Sequence, residues 1–124
     1  MLALPGFTAG DQSTLLMRRM LRRLNYNALP WELGQNTGSV EIQEQLRVRF
    51  GEVLEEAQGS VSIVGQSLGG VFARILAHEF PDRVRQVITL GSPFRAVEAR
   101  EGWPPPPVPT TAVYSKRDAV VPWH

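Results

Sequence analysis

Val61-Ser-Ile-Val-Gly-Gln-Ser-Leu-Gly-Gly-Val-Phe-Ala-Arg-Ile-Leu-Ala-His-Glu-Phe80 decides the fold of this chain. Val61 to Val64 is a short apolar run and reads as a buried strand. Leu68 to Phe80 is apolar almost all round, which predicts a well-covered helix that Pro81 ends. Between them stands Gly65-Gln66-Ser67-Leu68-Gly69, a Gly-x-Ser-x-Gly pattern. Three fixed residues arise by chance in a chain of this length at a rate of about 4%. The pattern alone is therefore weak, and its place between strand and helix is what makes it strong. So tight a turn forces Ser67 into a strained backbone conformation with its hydroxyl exposed. A β-carbon at Gly65 or Gly69 would collide with the neighbouring strand or helix.

Outward from this stretch, strands and helices alternate. Leu2-Ala3-Leu4 is a strand closed by Pro5-Gly6. Asp11 or Ser13 can cap the next helix, in which Leu16, Met17, Met20, Leu21 and Leu24 share one side. Arg18, Arg19, Arg22 and Arg23 fall opposite and read as a solvated face. Tyr26 to Trp31 is a second strand, ended by Gly34 and Gly38. Ile42, Leu46, Phe50, Val53, Leu54 and Ala57 make one stripe, so a helix is predicted from Val40 to Ala57, stopped by Gly59. Val87 to Leu90 and Thr110 to Tyr114 complete five strands. Strands that alternate with helices of this length pair in parallel. The expected class is α/β, a single domain over 1–124 with an open, mostly parallel five-stranded sheet and helices on both faces. Only 95–109 breaks the rhythm, where Pro104 to Pro107 and Pro109 predict an extended connection in place of a helix.

Composition excludes much else. The 124 residues hold 13 Lys+Arg against 12 Asp+Glu, too balanced for a nucleic-acid partner. No cysteine is present, which removes disulfides, thiolate metal sites and Cys nucleophiles. With two histidines, His78 and His124, a zinc site is not expected. No apolar run approaches the ~18 residues of a membrane span, and no signal peptide is visible. A cytoplasmic setting is the expectation. Phosphate-binding turns fit poorly: Gly65-x-Ser67-x-Gly69 lacks the middle glycine of a dinucleotide fingerprint, and no Gly-Lys-Ser/Thr occurs.

Val64-Gly-Gln-Ser-Leu-Gly-Gly70, with Leu4-Pro-Gly-Phe7 before it, resembles the α/β-hydrolase superfamily, specifically its lipase- and esterase-like members. The resemblance implies Ser67 as nucleophile, Gly65 and Gly69 as elbow glycines, and the N–H groups of Phe7 and Leu68 as the oxyanion hole. Val87-Ile-Thr-Leu-Gly-Ser-Pro-Phe94 is similar to the family's sixth strand, and Ala112-Val-Tyr-Ser-Lys-Arg-Asp118 to its seventh. Asp118 then takes the place of the triad acid. In family terms the strand order is 4-3-5-6-7, and the first two strands and the section bearing the triad His fall outside the chain. The family's order is Ser, acid, His, and only His124 follows Asp118. As the last residue it is poorly supported as a base, while His78 lies eleven residues along a helix from Ser67, about 16 Å away.

The resemblance implies hydrolysis of a small-molecule ester or lipid through an acyl-enzyme, with no cofactor and no metal. Lacking a secure His, the chain itself is expected to be nearly inactive. A non-catalytic binding module and an acyltransferase with the same elbow stay open as alternatives. Exposed sheet edges suggest a homodimer. Trp31, Trp103 and Trp123 fit either an acyl pocket or the core and surface.

Overall fold

The computed structural model describes residues 1–91 and 106–113. Its strands are β1 (Leu2–Leu4), β2 (Leu29–Pro30), β3 (Val61–Gln66), β4 (Val84–Leu90) and β5 (Thr110–Val113). All pair in parallel in the order β2-β1-β3-β4-β5, an open sheet with the strand order that the resemblance implied. The helices are α1 (Leu15–Arg23), entered through a 3-10 turn at Asp11–Thr14, α2 (Val40–Ala57) and α3 (Leu68–Glu79).

Handedness explains how the helices are distributed. The chain leaves β1 for β2 on one side, then passes back over β1 to reach β3 on the other. Parallel crossovers are right-handed, so reversing the direction of travel moves the covering helix to the opposite face. α2 and α3 therefore share one face and α1 takes the other. Side-chain alternation agrees. Leu2, Leu4 and Ile63 join Ile42, Leu46, Phe50, Phe72 and Leu76 in one core, while Ala3 and Val64, register partners across β1 and β3, are buried outside it.

α2 has the predicted bounds. The Ser39 hydroxyl accepts the Ile42 N–H at 3.2 Å and caps its start. At its other end Gln58, not Gly59, adopts the left-handed conformation (φ 53°) and donates its N–H to the Leu54 carbonyl. β3 and β4 are longer than their apolar runs, because the ladder continues through Gly65, Gln66 and Val84. β2 is shorter than predicted. Tyr26 donates its N–H to the Leu21 carbonyl in the turn that ends α1, leaving Leu29 and Pro30 to pair with β1.

The first helix departs from its sequence reading. Asp11 caps nothing: its carboxylate accepts the N–H groups of Trp31 and Glu32, both at 3.0 Å, tying the 3-10 turn to the end of β2. Ser13 donates to the Gly10 carbonyl instead of capping. Arg18 is buried, with Nε on the Thr14 hydroxyl and Nη2 on the Asp11 carbonyl, and Arg22 grips the Ala28 carbonyl with two nitrogens. Of the four arginines only Arg18 is buried, whereas Arg19, Arg22 and Arg23 are exposed as the sequence reading expected. Leu16, Met20 and Leu24 are left exposed, whereas Met17 and Leu21 are half-buried. Trp31 is fully buried and donates Nε1–H to the Gly34 carbonyl, so it belongs to the core and lines no acyl pocket. Trp103, Trp123 and most of the proline-rich 95–109 connection lie outside the described residues.

Candidate active site

The reversal of strand order brings two loops together. Where neighbouring parallel strands send their chains in opposite directions, a crevice opens beyond their C-terminal ends, and α/β proteins bind ligands there. In this chain those strands are β1 and β3, and the loops are Pro5–Ala9 and the turn at Ser67.

Ser67 is the single residue between β3 and α3. Its backbone stands at φ 51°, ψ −122°, the geometry of the first central position in a type II′ turn, which glycine ordinarily takes. The surroundings over-determine it. Its N–H donates to the Leu90 carbonyl at 2.8 Å and its carbonyl accepts the Gly70 N–H at 2.9 Å. The glycines on either side explain themselves. A Cβ on Gly65 would overlap the backbone of Gly69 and Gly70, and one on Gly69 would overlap the Leu4 carbonyl and lie 2.6 Å from the Pro5 oxygen. α3 therefore starts jammed between β3 and the end of β1. The Ser67 hydroxyl makes no hydrogen bond among the described residues and does not cap α3, although its residue holds the N-cap position. Strain of this kind costs about 1–3 kcal/mol. A Ser67→Gly chain is accordingly expected to be more stable by about 1 kcal/mol, read as a higher denaturation midpoint. An equal or lower midpoint would show that the turn stores no strain.

The loop after β1 presses on this turn. A Cβ on Gly6 would lie 3.1 Å from the Ser67 Cβ. Most polar atoms of the loop are committed: the Gly6 carbonyl accepts from Ala9, the Thr8 N–H donates to the Asn36 carbonyl, and the Ala9 carbonyl accepts from Asn36. The Phe7 N–H has no such partner among the described residues. Neither has the Leu68 N–H, which opens α3 and has no carbonyl four residues back within it. The side chains of the same two residues meet at Gly38, where a Cβ would lie 3.2 Å from Leu68 Cδ2 and 3.4 Å from Phe7 Cδ2. A half-buried serine and two unspent backbone N–H groups, that of Leu68 at a helix N-terminus, thus gather around one crevice.

Asp118 and His124 lie outside the described residues. His78 sits in the last turn of α3, at the far end from Ser67. Among the described residues no three His, Cys, Asp or Glu side chains gather to hold a metal ion, and no helix is long and apolar enough to cross a membrane. A small hollow between α2 and α3, lined by Gln43, Leu46, Arg47, Phe72, Ile75 and Leu76, shares no residue with the crevice. Sequence reasoning missed Asn36 and Gly38. Gly34-Gln-Asn-Thr-Gly38 reads as turn-formers ending a strand, and no spacing in it signals that Asn36 is buried.

A family model described as alpha/beta hydrolase fold matches residues 39–124. The chain belongs to the α/β-hydrolase fold family. Solved α/β-hydrolases share its architecture. An alpha/beta hydrolase fold protein from Nakamurella multipartita is 23% identical with a TM-score of 0.58, over 74% of this chain and 34% of that one. A monoacylglycerol lipase from Paleococcus ferrophilus is 15% identical with a TM-score of 0.60, over 81% of this chain and 44% of that one. An extracellular alpha/beta-hydrolase from Paenibacillus, described as sharing homology with tobacco salicylic acid binding protein 2, is 12% identical with a TM-score of 0.67. That match covers 99% of this chain and 80% of the other. The present hydrolase-fold chain spans less than half the length of the first two. No curated protein sequence matches it.

Proposed function

We propose that this α/β-hydrolase acts on carboxylic esters of the lipase and esterase kind, with Ser67 as nucleophile. The observation that carries the reading is Ser67 at φ 51°, ψ −122°, alone between β3 and α3 at the strand-order reversal. In this mechanism Ser67 Oγ attacks the ester carbonyl carbon, and its proton passes to a histidine oriented by Asp118. The carbonyl oxygen becomes an oxyanion, to which the Phe7 and Leu68 N–H groups donate. The tetrahedral intermediate collapses, the alkoxide leaves with the proton from the histidine, and an acyl-Ser67 ester remains. Water activated by the same histidine then releases the acid. His124 is the histidine that follows Asp118 in this chain. A glyceride-like ester is a reasonable first substrate, since one structural neighbour is a monoacylglycerol lipase.

Incubating the purified chain with p-nitrophenyl acetate and locating the acyl group by mass spectrometry tests the reading. The expected result is one acetyl group on the peptide holding Ser67, released by hydroxylamine. An acetyl group elsewhere, or none, sinks the proposal and favours a non-catalytic module. An added alcohol that diverts the acyl group into a new ester in preference to water would mark an acyltransferase.

We further propose self-association through sheet edges. Among the described residues β2 and β5 border the sheet, and β5 leaves Val113 half exposed. Light scattering at high protein concentration is expected to give a dimer mass, and a monomer would overturn this.

A further inference from the structure

We propose that Asn36 is a positioning residue that holds the oxyanion loop in its working geometry, an inference that rests on Phe7 and Leu68 being the oxyanion donors. Asn36 is fully buried, although Gly34, Gln35 and Thr37 around it are exposed. Burying an amide is costly unless its polar atoms are bonded, and here both ends of the side chain and both backbone groups are. Nδ2 donates to the Pro5 carbonyl at 3.0 Å, and Oδ1 accepts the Gly38 N–H at 3.0 Å. Its backbone N–H donates to the Ala9 carbonyl and its carbonyl accepts the Thr8 N–H, both at 2.8 Å. An acceptor on one side and a donor on the other fix the orientation of the amide.

Three of those four bonds end on the loop after β1, although Asn36 belongs to the loop after β2. Peptide groups are planar, so fixing a carbonyl fixes the direction of the N–H across the same bond. Asn36 sets the Pro5–Gly6 plane. The Ala9 N–H sets the Gly6–Phe7 plane by holding the Gly6 carbonyl at 3.0 Å. The Phe7 N–H is therefore aimed by bonds made elsewhere, and it remains free to donate. The second arm of the side chain acts on the same site. It pins Gly38, where an added Cβ would meet the side chains of Phe7 and Leu68. One buried amide thus braces the loop that carries the Phe7 N–H and the glycine beside the Phe7 and Leu68 side chains, and a donor fixed in advance spends nothing on reorganisation as the oxyanion forms.

The test compares wild type, Asn36→Ala and Asn36→Asp in the pre-steady-state acylation of Ser67 by p-nitrophenyl acetate, at a temperature where circular dichroism shows all three folded. Asn36→Ala removes both arms and is expected to acylate about 10–100-fold more slowly, with little change in the ester concentration for half-maximal rate. Asn36→Asp keeps an acceptor for Gly38 but, when ionised, has no donor for Pro5. Its rate relative to wild type is expected to rise as pH falls, because the neutral carboxyl donates again. A residue that only supported the fold would give no such pH profile. Variants that are folded and acylate within twofold of wild type at every pH overturn the proposal. Wild type that fails to acylate at all sinks the serine reading instead. In that case amide exchange still decides the role of Asn36: faster exchange of the Thr8 N–H in Asn36→Ala supports it, and unchanged exchange overturns it.

Discussion

Ser67→Ala is expected to bring ester hydrolysis down to the solvent background while leaving stability within about 0.5 kcal/mol of wild type. The two halves have separate causes. Without Ser67 no acyl-enzyme can form, so whatever ester turnover the chain has falls to background, because the remaining groups have nothing to activate. Stability is spared because the Ser67 hydroxyl neither caps α3 nor makes any other hydrogen bond among the described residues. Alanine also meets the positive φ at the same steric disadvantage as serine. Steady-state rates with p-nitrophenyl acetate, set beside urea denaturation of both chains, read the two effects together. Equal rates would place any esterase activity elsewhere than Ser67. A large drop in stability would show an unrecognised structural role for the hydroxyl.

Gly65→Ala is expected to be the most damaging single methyl in the described chain. The new Cβ meets the backbone of Gly69 and Gly70, and neither side has room to retreat. β3 is held in the ladder between β1 and β4, while the first turn of α3 is backed by the Leu4 and Pro5 carbonyls. Overpacking against side chains costs about 1–3 kcal/mol, and against backbone on both sides it costs more. A loss of about 3 kcal/mol or more is a large fraction of the ~5–15 kcal/mol that holds a domain together. Gly51→Ala supplies the contrast. Gly51 lies within α2 with nothing near its would-be Cβ, so alanine there is expected to stabilise by about 0.5–1 kcal/mol. Urea midpoints for both variants give the comparison. A Gly65→Ala chain as stable as wild type would mean that the close approach of β3 and α3 is not required.

Features that depend on neighbours along the chain were legible in the sequence. The apolar stripe from Ile42 to Leu54 and the cap at Ser39 set α2, because a helix face and its first turn are local matters. Gly65 and Gly69 flanking Ser67 were read as demands of a tight turn, and each glycine meets the backbone of the element facing it. The α1 region was not legible in this way. Its apolar side was expected to face inward, but Leu16, Met20 and Leu24 are exposed while Arg18 is buried on the Asp11 carbonyl and Arg22 reaches the Ala28 carbonyl. Asp11 likewise ignored its own helix for the N–H groups of Trp31 and Glu32, some twenty residues on.

The candidate site divides along the same line. By itself the sequence determined the α/β class and the strand–turn–helix around Ser67, because spacing and steric demand within a few residues dictate them, while the roles proposed for Ser67, Phe7 and Leu68 came from the family resemblance. Only the tertiary structure decided how the loop after β1 is held. Asn36 carries no mark in its own segment; its side chain matters through Pro5, which precedes it by 31 residues. The physical reason is that hydrogen bonds to a buried amide are chosen by whichever backbone groups the folded sheet presents, and the strand order that places the β1 and β2 loops side by side is not written in either loop.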